Sequence, residues 1–424
     1  MGAAPRAAIL VTGDEILRGR IQERNAGILS RSLEGHGVEI ARIEVVGDGR
    51  AAIATAVARL LEEGHDLLCI SGGLGPTHDD LTMQAVGDAI GRPLAVDPRA
   101  LAMVRARSAG ICSDRAVQEE LHEKQASLPA GSILLAPAGT APGCIVGHEG
   151  VTLVVLPGPP WELSAMWETA ISVPAVARII ACAERASERI LRVHAVPESS
   201  LVATIDGIDP DVWNRLTVGI CAREGELEIT VRSAPDDVWA ADALEARIAE
   251  GVGRSLFSRD GATIDDVVAA GLIAADQTIA VAESCTGGGL GARLSARAGA
   301  SRYLLGGVIA YADAVKLEAL GVAPEVIRRH GAVSAECAEQ MAVGVRHRLG
   351  SDWALSVTGI AGPDGGSASK PVGLVWFGVA ERNSVRSLER RYVQHGRESI
   401  RAFAVHTALE LAWRAVSGRA WPNR

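Results

Sequence analysis

Short apolar runs alternate with stretches of helical spacing through the first third of the chain. Ala8-Ile9-Leu10-Val11 has strand length, and Asn25 to Leu33 carries helical spacing that stops near Gly35. Val38 to Val46 alternates like a strand, and Ile53 to Leu61 returns to helical spacing. Leu67-Leu68-Cys69-Ile70 reads as a buried strand running into Ser71-Gly72-Gly73-Leu74-Gly75-Pro76. Leu153-Val154-Val155-Leu156 is another, ending at Pro157-Gly158-Pro159-Pro160, after which Trp161 to Trp167 begins a helix. Strands alternating with helices in this way predict a parallel sheet with right-handed βαβ crossovers.

The pattern changes from about Ser187. Ile190 to Val196, Leu216 to Cys221 and Leu227 to Val231 read as strands, with helical stretches at Ser199 to Ile205 and Val238 to Glu250. This is a small α+β module without a motif that carries chemistry, and its plain reading is a spacer or packing module. A second βαβ pattern begins near Ile264. It has a helix at Val267 to Ala275, a strand at Thr278 to Ala282 and another at Val308 to Tyr311. A helix at Ala335 to Leu349, strands at Trp353 to Val357, Leu374 to Val379 and Leu388 to Val393, and a closing helix at Ser399 to Val416 complete it. The expected fold class is α/β: two βαβ domains, 5–172 and 260–418, joined by the α+β module at 185–257. The two halves share no obvious repeat.

At 424 residues the chain is too long for a single core, which agrees with that division. Hydrophobic residues make up 48% and charged residues 22%, a globular composition. Alanine and glycine dominate while aromatics are scarce, so helices should pack closely on sheets through small side chains. The formal charge of −9, with no run of Lys or Arg, argues against direct nucleic-acid binding, which needs a basic stripe to neutralise phosphates. Arg386, Arg390 and Arg391 read as a solvated strand edge or turn. Seven cysteines (Cys69, Cys112, Cys144, Cys182, Cys221, Cys285 and Cys337) stand singly, with no C-x-x-C pair. They read as reduced, buried thiols of a cytosolic protein rather than a disulfide frame or a zinc site. The first residues reach Asp14 and Glu15 without a secretory apolar region, and no apolar stretch of about twenty residues would span a bilayer. A cytoplasmic location is therefore expected, with no membrane partner.

Ser284 lies in Glu283-Ser284-Cys285-Thr286-Gly287-Gly288-Gly289, between a buried strand and the opening of a helix. Open α/β folds bind ligands at such strand ends. Unpaired N–H groups at Thr286, Gly287, Gly288 and Gly289 and the positive helix end could hold an oxyanion or a phosphate. A serine nucleophile needs a base, and the nearest candidates are Tyr311 and Lys316. A lysine is a poor base at its free pKa of about 10.4, and desolvation is what converts one into a base. From spacing alone, however, Lys316 reads as an exposed helix lysine and Tyr311 as a core tyrosine. Cys285 is a rival nucleophile, since a thiol at a helix N-terminus is activated. Thr358-Gly359-Ile360-Ala361-Gly362-Pro363 forms a second glycine loop at a strand end, expected to line the same cleft.

These segments, with Gly307-Val308-Ile309-Ala310-Tyr311, Gly331-Ala332-Val333-Ser334, Asp364-Gly365-Gly366 and Lys370-Pro371-Val372-Gly373, resemble the CinA C-terminal domain over roughly residues 260 to 418. That domain also occurs as a stand-alone nicotinamide-nucleotide amidase. The resemblance implies a metal-independent serine amidohydrolase of pyridine nucleotide recycling that converts nicotinamide mononucleotide to nicotinate mononucleotide and ammonia. Ser284, Tyr311 and Lys316 would form its catalytic set. Thr286, Gly287, Gly288, Thr358, Gly359 and Gly362 would line the substrate.

A separate set lies near the N-terminus: Thr12-Gly13-Asp14-Glu15, Val46-Gly47-Asp48 and Ser71-Gly72-Gly73-Leu74-Gly75-Pro76-Thr77-His78-Asp79-Asp80. A glycine turn after a strand can cradle a pyrophosphate, and nearby carboxylates suit Mg²⁺. The plainer reading is that Asp79 and Asp80 cap the following helix. Over residues 5 to 170 this set resembles the molybdopterin-binding fold of the MoaB/Mog type in its CinA version. The resemblance implies ligand contacts at Gly72, Gly73, Gly75 and Thr77. For those members that hydrolyse ADP-ribose it implies a divalent metal (Mg, Mn or Co) near Asp48 and Asp80. The expected partners are small-molecule nucleotides, and the expected assembly is a homo-oligomer, most simply a dimer. The rival reading is a molybdopterin- or nucleotide-binding module whose C-terminal half is an inactive partner platform. Intact Ser284, Tyr311 and Lys316 argue against it.

Overall fold

The computed structural model describes residues 4–108, 115–183, 187–223, 225–392 and 396–418. Cys112, Val393 and residue 185, the expected start of the α+β module, lie outside them. The chain divides into two compact units, Met1–Ala186 and Ser187–Arg424.

In the first unit a six-stranded sheet runs in the order Glu39–Val46, Arg6–Thr12, Leu67–Ser71, Val151–Leu156, Gly143–His148, Ile133–Leu135. The first four strands are parallel, Gly143–His148 runs antiparallel to them and Ile133–Leu135 antiparallel to it in turn, so the sheet is mixed rather than wholly parallel as expected. The strand periodicity explains why its central runs are continuously apolar. Ala8, Leu10, Leu68 and Ile70 face Ile53, Val57 and Leu60 of helix Arg50–Glu62. Ile9, Val11, Cys69 and Val154 face Leu29, Leu33 and Trp167 of helices Asn25–Gly35 and Pro160–Ala170 on the other side. A sheet covered on both faces needs apolar residues at every position.

The second unit holds two sheets. A four-stranded antiparallel sheet, in the order Leu216–Arg223, Glu226–Ser233, Ser187–His194, Leu256–Ser258, packs Leu191, Val193, Ile229 and Val231 against helices Glu198–Ile205 and Val238–Val252. Its opposite face carries Arg192, His194 and Glu226, all buried. His194 Nε2 meets Glu410 Oε2 at 2.6 Å, and His194 Nδ1 meets His406 Nε2 at 2.9 Å; Glu410 and His406 both lie on helix Arg397–Val416. The module is thus joined to the C-terminal fold by buried polar contacts, more than the spacer its sequence suggests.

The five-stranded sheet runs Leu304–Ile309, Ile279–Glu283, Trp353–Gly359, Leu374–Ala380, Val385–Arg391, with the first three strands parallel and the last two joined by antiparallel pairings. Helices Ile264–Ala274 and Arg397–Val416 cover one face. On the other, Ala280, Ala282, Ala354 and Ala380 let helix Ala335–Leu349 lie close, as the alanine-rich composition implies. Tyr311 falls beyond its strand, which ends at Ile309, so the expected Val308 to Tyr311 strand is shifted. Arg386, Arg390 and Arg391 do sit on the edge strand.

Candidate functional site

The strand Ile279–Glu283 delivers Ser284 to the carboxyl edge of the parallel part of the sheet. Ser284 N–H still donates to Val357 O (2.9 Å), and Ala310 N–H donates to Glu283 O (2.7 Å). Register therefore sets Ser284, Ala310-Tyr311 and Thr358-Gly359 at three adjacent strand ends. Ser284 is 8% exposed, and no hydrogen bond joins its Oγ to Tyr311 or Lys316 among the described residues.

The environments of the two partners are the reverse of what spacing suggested. Lys316 is 1% exposed and Tyr311 is 60% exposed. Lys316 lies on the inner face of helix Asp313–Leu320, and its Nζ donates to Tyr311 O (3.2 Å) and Asp313 Oδ1 (3.3 Å). The Tyr311 hydroxyl accepts from Arg397 Nη2 (3.0 Å), while Arg397 Nη1 donates to Gly362 O (2.7 Å). A buried amine tethered to the backbone of an exposed tyrosine, one strand from a serine, is an unusual arrangement for a merely structural lysine. Burial pushes the Cys285 thiol up to about 12, which removes the thiolate that the rival nucleophile requires.

The expected oxyanion donors need correction. Gly287 N–H donates to Ser284 O (3.1 Å), Gly288 N–H to Glu283 Oε2 (3.0 Å) and Gly289 N–H to Thr286 O (3.3 Å), so none of the three is free for a ligand. The backbone N–H groups of Cys285 and Thr286 donate to no backbone oxygen among the described residues; both lie against the Cys285 sulfur, a weak acceptor that an oxyanion would have to replace. Gly287 and Gly288 serve the turn instead, with φ of +60° and +97°. The Thr358 side chain does not line a cleft: it is buried and donates to Ala332 O (2.8 Å). Gly359 is required by packing, since a Cβ there would come within 2.8 Å of Leu374 O. Sequence reasoning missed Glu283, Arg397 and Arg401, the last donating to Thr286 O (2.8 Å). A carboxylate closing an apolar strand before a glycine run was the signal available for Glu283.

In the first unit, Gly72, Gly73, Gly75, Asp48 and Asp80 all line one cavity of about 530 Å³. A Cβ at Gly72 would come within 2.5 Å of Thr12 O, and both Gly72 and Gly73 have positive φ, so this turn demands glycine. Thr77 is not part of the lining. Its N–H donates to Asp80 Oδ2 (2.9 Å), and its single hydroxyl hydrogen is shared between Asp80 Oδ2 (2.6 Å) and Asp79 Oδ1. These bonds replace the expected helix cap, because helix Thr82–Ala89 has no side-chain cap. Burial raises the Asp48 carboxyl above the usual range, opposed by the Asp14 N–H bond and reinforced by Glu15, Asp14 and Asp79. Asp48 and Asp80 each keep one oxygen without a hydrogen bond among the described residues. These oxygens fit a hard cation that takes one or two carboxylates and completes its shell with phosphate and water. No three ligating side chains converge as a ready-made metal cluster among the described residues. Of the cysteines, Cys69, Cys144, Cys285 and Cys337 are free and buried, but Cys182 and Cys221 are exposed, contrary to expectation. No single helix among the described residues is long and apolar enough to cross a membrane.

Fold and sites together define a two-part α/β protein: a sheet domain with a glycine turn and a carboxylate-lined cavity, followed by a serine-bearing sheet domain. Residues 8–178 match the family described as a probable molybdopterin binding domain, and residues 261–416 match the CinA C-terminal domain. A CinA-like protein of Mycolicibacterium vanbaalenii is 42% identical over 422 residues, covering 97% of this chain and 99% of that one. Another, of Mycobacterium tuberculosis, is 37% identical over 433 residues, covering 99% of both. A solved CinA superfamily protein of Klebsiella pneumoniae is 34% identical, covering 37% of this chain and 96% of its own, with a TM-score of 0.36. The chain belongs to the CinA family.

Proposed function

We propose that the C-terminal domain is an amidohydrolase that converts nicotinamide mononucleotide to nicotinate mononucleotide and ammonia. The observation that carries this reading is the pairing of a buried Lys316 with an exposed Tyr311 at the strand end beside Ser284. Ser284 Oγ attacks the amide carbon while its proton passes to Lys316, directly or through the Tyr311 hydroxyl. The N–H groups of Cys285 and Thr286 receive the developing oxyanion, each such donor being worth roughly 3 kcal/mol in comparable sites. Collapse of the tetrahedral adduct expels ammonia, which takes the proton back from the base. Water then hydrolyses the acyl-enzyme by the same route. The reading implies a cytoplasmic, homo-oligomeric enzyme of pyridine nucleotide recycling. It is tested by ammonia release from the purified chain: the wild type should be active and Lys316→Met inactive, with the helix it occupies intact by circular dichroism. A wild type that releases no ammonia would favour a binding protein with an inactive C-terminal half.

The carboxylate-lined cavity of the first unit supports a second site, for a phosphate-bearing nucleotide such as ADP-ribose. Asp48 and Asp80 would hold a divalent metal there. When bound, it would neutralise phosphate charge and orient water for pyrophosphate cleavage. The glycine turn would let the ligand approach the backbone. Hydrolysis of ADP-ribose in Mg²⁺, Mn²⁺ or Co²⁺ tests this, and its absence in all three would leave a binding domain.

A further inference from the structure

The carboxylate of Glu283, one residue before Ser284, is 1% exposed, and no ion pair neutralises it among the described residues. It accepts three backbone bonds: Oε2 from Gly288 N–H (3.0 Å) and Leu290 N–H (3.0 Å), and Oε1 from Gly291 N–H (2.7 Å). These are the N–H groups that open helix Gly289–Ser295, the end at which an anionic ligand would otherwise be held. The geometry points to Glu283 as the positioning residue of the amidase, resting on the amidase reading above.

The turn after Ser284 is held at both ends. Its first end is tied to the sheet by Ser284 N–H on Val357 O and Ala310 N–H on Glu283 O. Its far end, at Gly288 to Gly291, is tied back to the same strand by three hydrogen bonds to the Glu283 carboxylate. Between the ties, the positive φ of Gly287 and Gly288 bends the chain so that Gly287 N–H closes on Ser284 O. Among the described residues the Cys285 and Thr286 N–H groups find no oxygen within the turn and lie against the Cys285 sulfur. Their aim, and that of Ser284 Oγ, is therefore set by a charged clamp behind the turn. Charge-assisted bonds of this kind are stronger than neutral ones, which suits a clamp that must not slip during the reaction. Glu283 also fills the helix end with negative charge, so the substrate's phosphate is bound elsewhere.

Glu283→Gln keeps the shape and one acceptor oxygen but turns an amide NH₂ toward one of the backbone N–H groups. A displacement of the donors by a fraction of an ångström should lower kcat by roughly 10- to 100-fold. KM for nicotinamide mononucleotide should stay within about twofold, because the phosphate does not use this helix end. The pH–rate profile should keep its shape, since Glu283 passes no proton. Amide hydrogen exchange at Gly288, Leu290 and Gly291 should speed up in the full chain. Unchanged kcat, or a loss that only follows the folded fraction, would overturn the positioning role. A shifted profile would make Glu283 an acid–base group, and a lowered KM would put the phosphate at the helix end. If the wild type itself releases no ammonia, the amidase reading fails. The exchange measurement still decides whether Glu283 clamps the turn, and unchanged protection in Glu283→Gln would overturn that as well.

Discussion

His406 ties the acid stability of the second unit to a particular contact. It is 2% exposed, with its Nε2 2.9 Å from His194 Nδ1 and the two rings stacked at 5.0 Å. Burial, the neighbouring His194 and Arg293 push its pKa down to about 3, with Glu410 opposing. The unfolded chain carries a histidine of pKa about 6.5, so below that pH the unfolded state binds a proton that the folded state refuses. A folded pKa below the unfolded one means that stability falls as pH drops from about 6.5 toward 3 and is retained above that window. Between pH 7.5 and 5 the cost is about 1.4 kcal/mol per unit below 6.5, hence about 2 kcal/mol at pH 5. His406→Gln keeps a polar contact with His194 but cannot titrate. Native-state hydrogen exchange of peptides from helix Arg397–Val416, at pH 7.5 and 5 and corrected for intrinsic rates, should show the wild type losing about 2 kcal/mol more protection than the variant. Equal losses in the two proteins would refute the claim that a neutral His406 is held in this interface.

Further outcomes follow from the same contacts. Cys285→Ala should retain most ammonia release, because the thiol is buried and its pKa is raised, and a dead variant with an intact fold would return the nucleophile to the thiol. EDTA or Asp80→Asn should remove any ADP-ribose hydrolysis and spare ammonia release, and loss of both on chelation alone would contradict a metal-free amidase. A fragment spanning 187–424 should unfold at higher urea than one starting at 260, because the shorter piece strips His194 from the buried Glu410. Equal midpoints would mean that the module does not stabilise the C-terminal fold. Gly72→Ala should destabilise the first unit by several kcal/mol in thermal unfolding, since a Cβ would sit 2.5 Å from Thr12 O at a φ of +108°.

The long elements could be read from the sequence because their apolar runs are buried on one or both faces, as at Leu67–Ser71 and Ala335–Leu349. The short strands could not: Leu94–Val96, Ser127–Pro129 and Ile133–Leu135 have three residues each, too few to show a period. Nor does strand periodicity distinguish the antiparallel partners Gly143–His148 and Leu374–Ala380 from parallel ones, because direction is settled by tertiary pairing. At the site, the residue types were legible but their exposure was not. Lys316 stands four residues before the buried Leu320, a helical spacing that places both on the inner face. Of the glycines expected to touch a ligand, 287 and 288 supply positive φ to the turn and 359 makes room for Leu374 O, features of the folded backbone that residue type alone does not reveal.

The most direct test of the central claim is ammonia release from nicotinamide mononucleotide by the purified chain, wild type beside Ser284→Ala. Ser284 sits 8% exposed at the strand end, so its hydroxyl can be removed without opening a large cavity, and the variant should fold normally. The account predicts steady ammonia release from the wild type and loss of at least about 10³-fold in kcat for the variant, as expected when the nucleophile of an acyl-transfer site is removed. A folded Ser284→Ala variant that releases ammonia at the wild-type rate would contradict it.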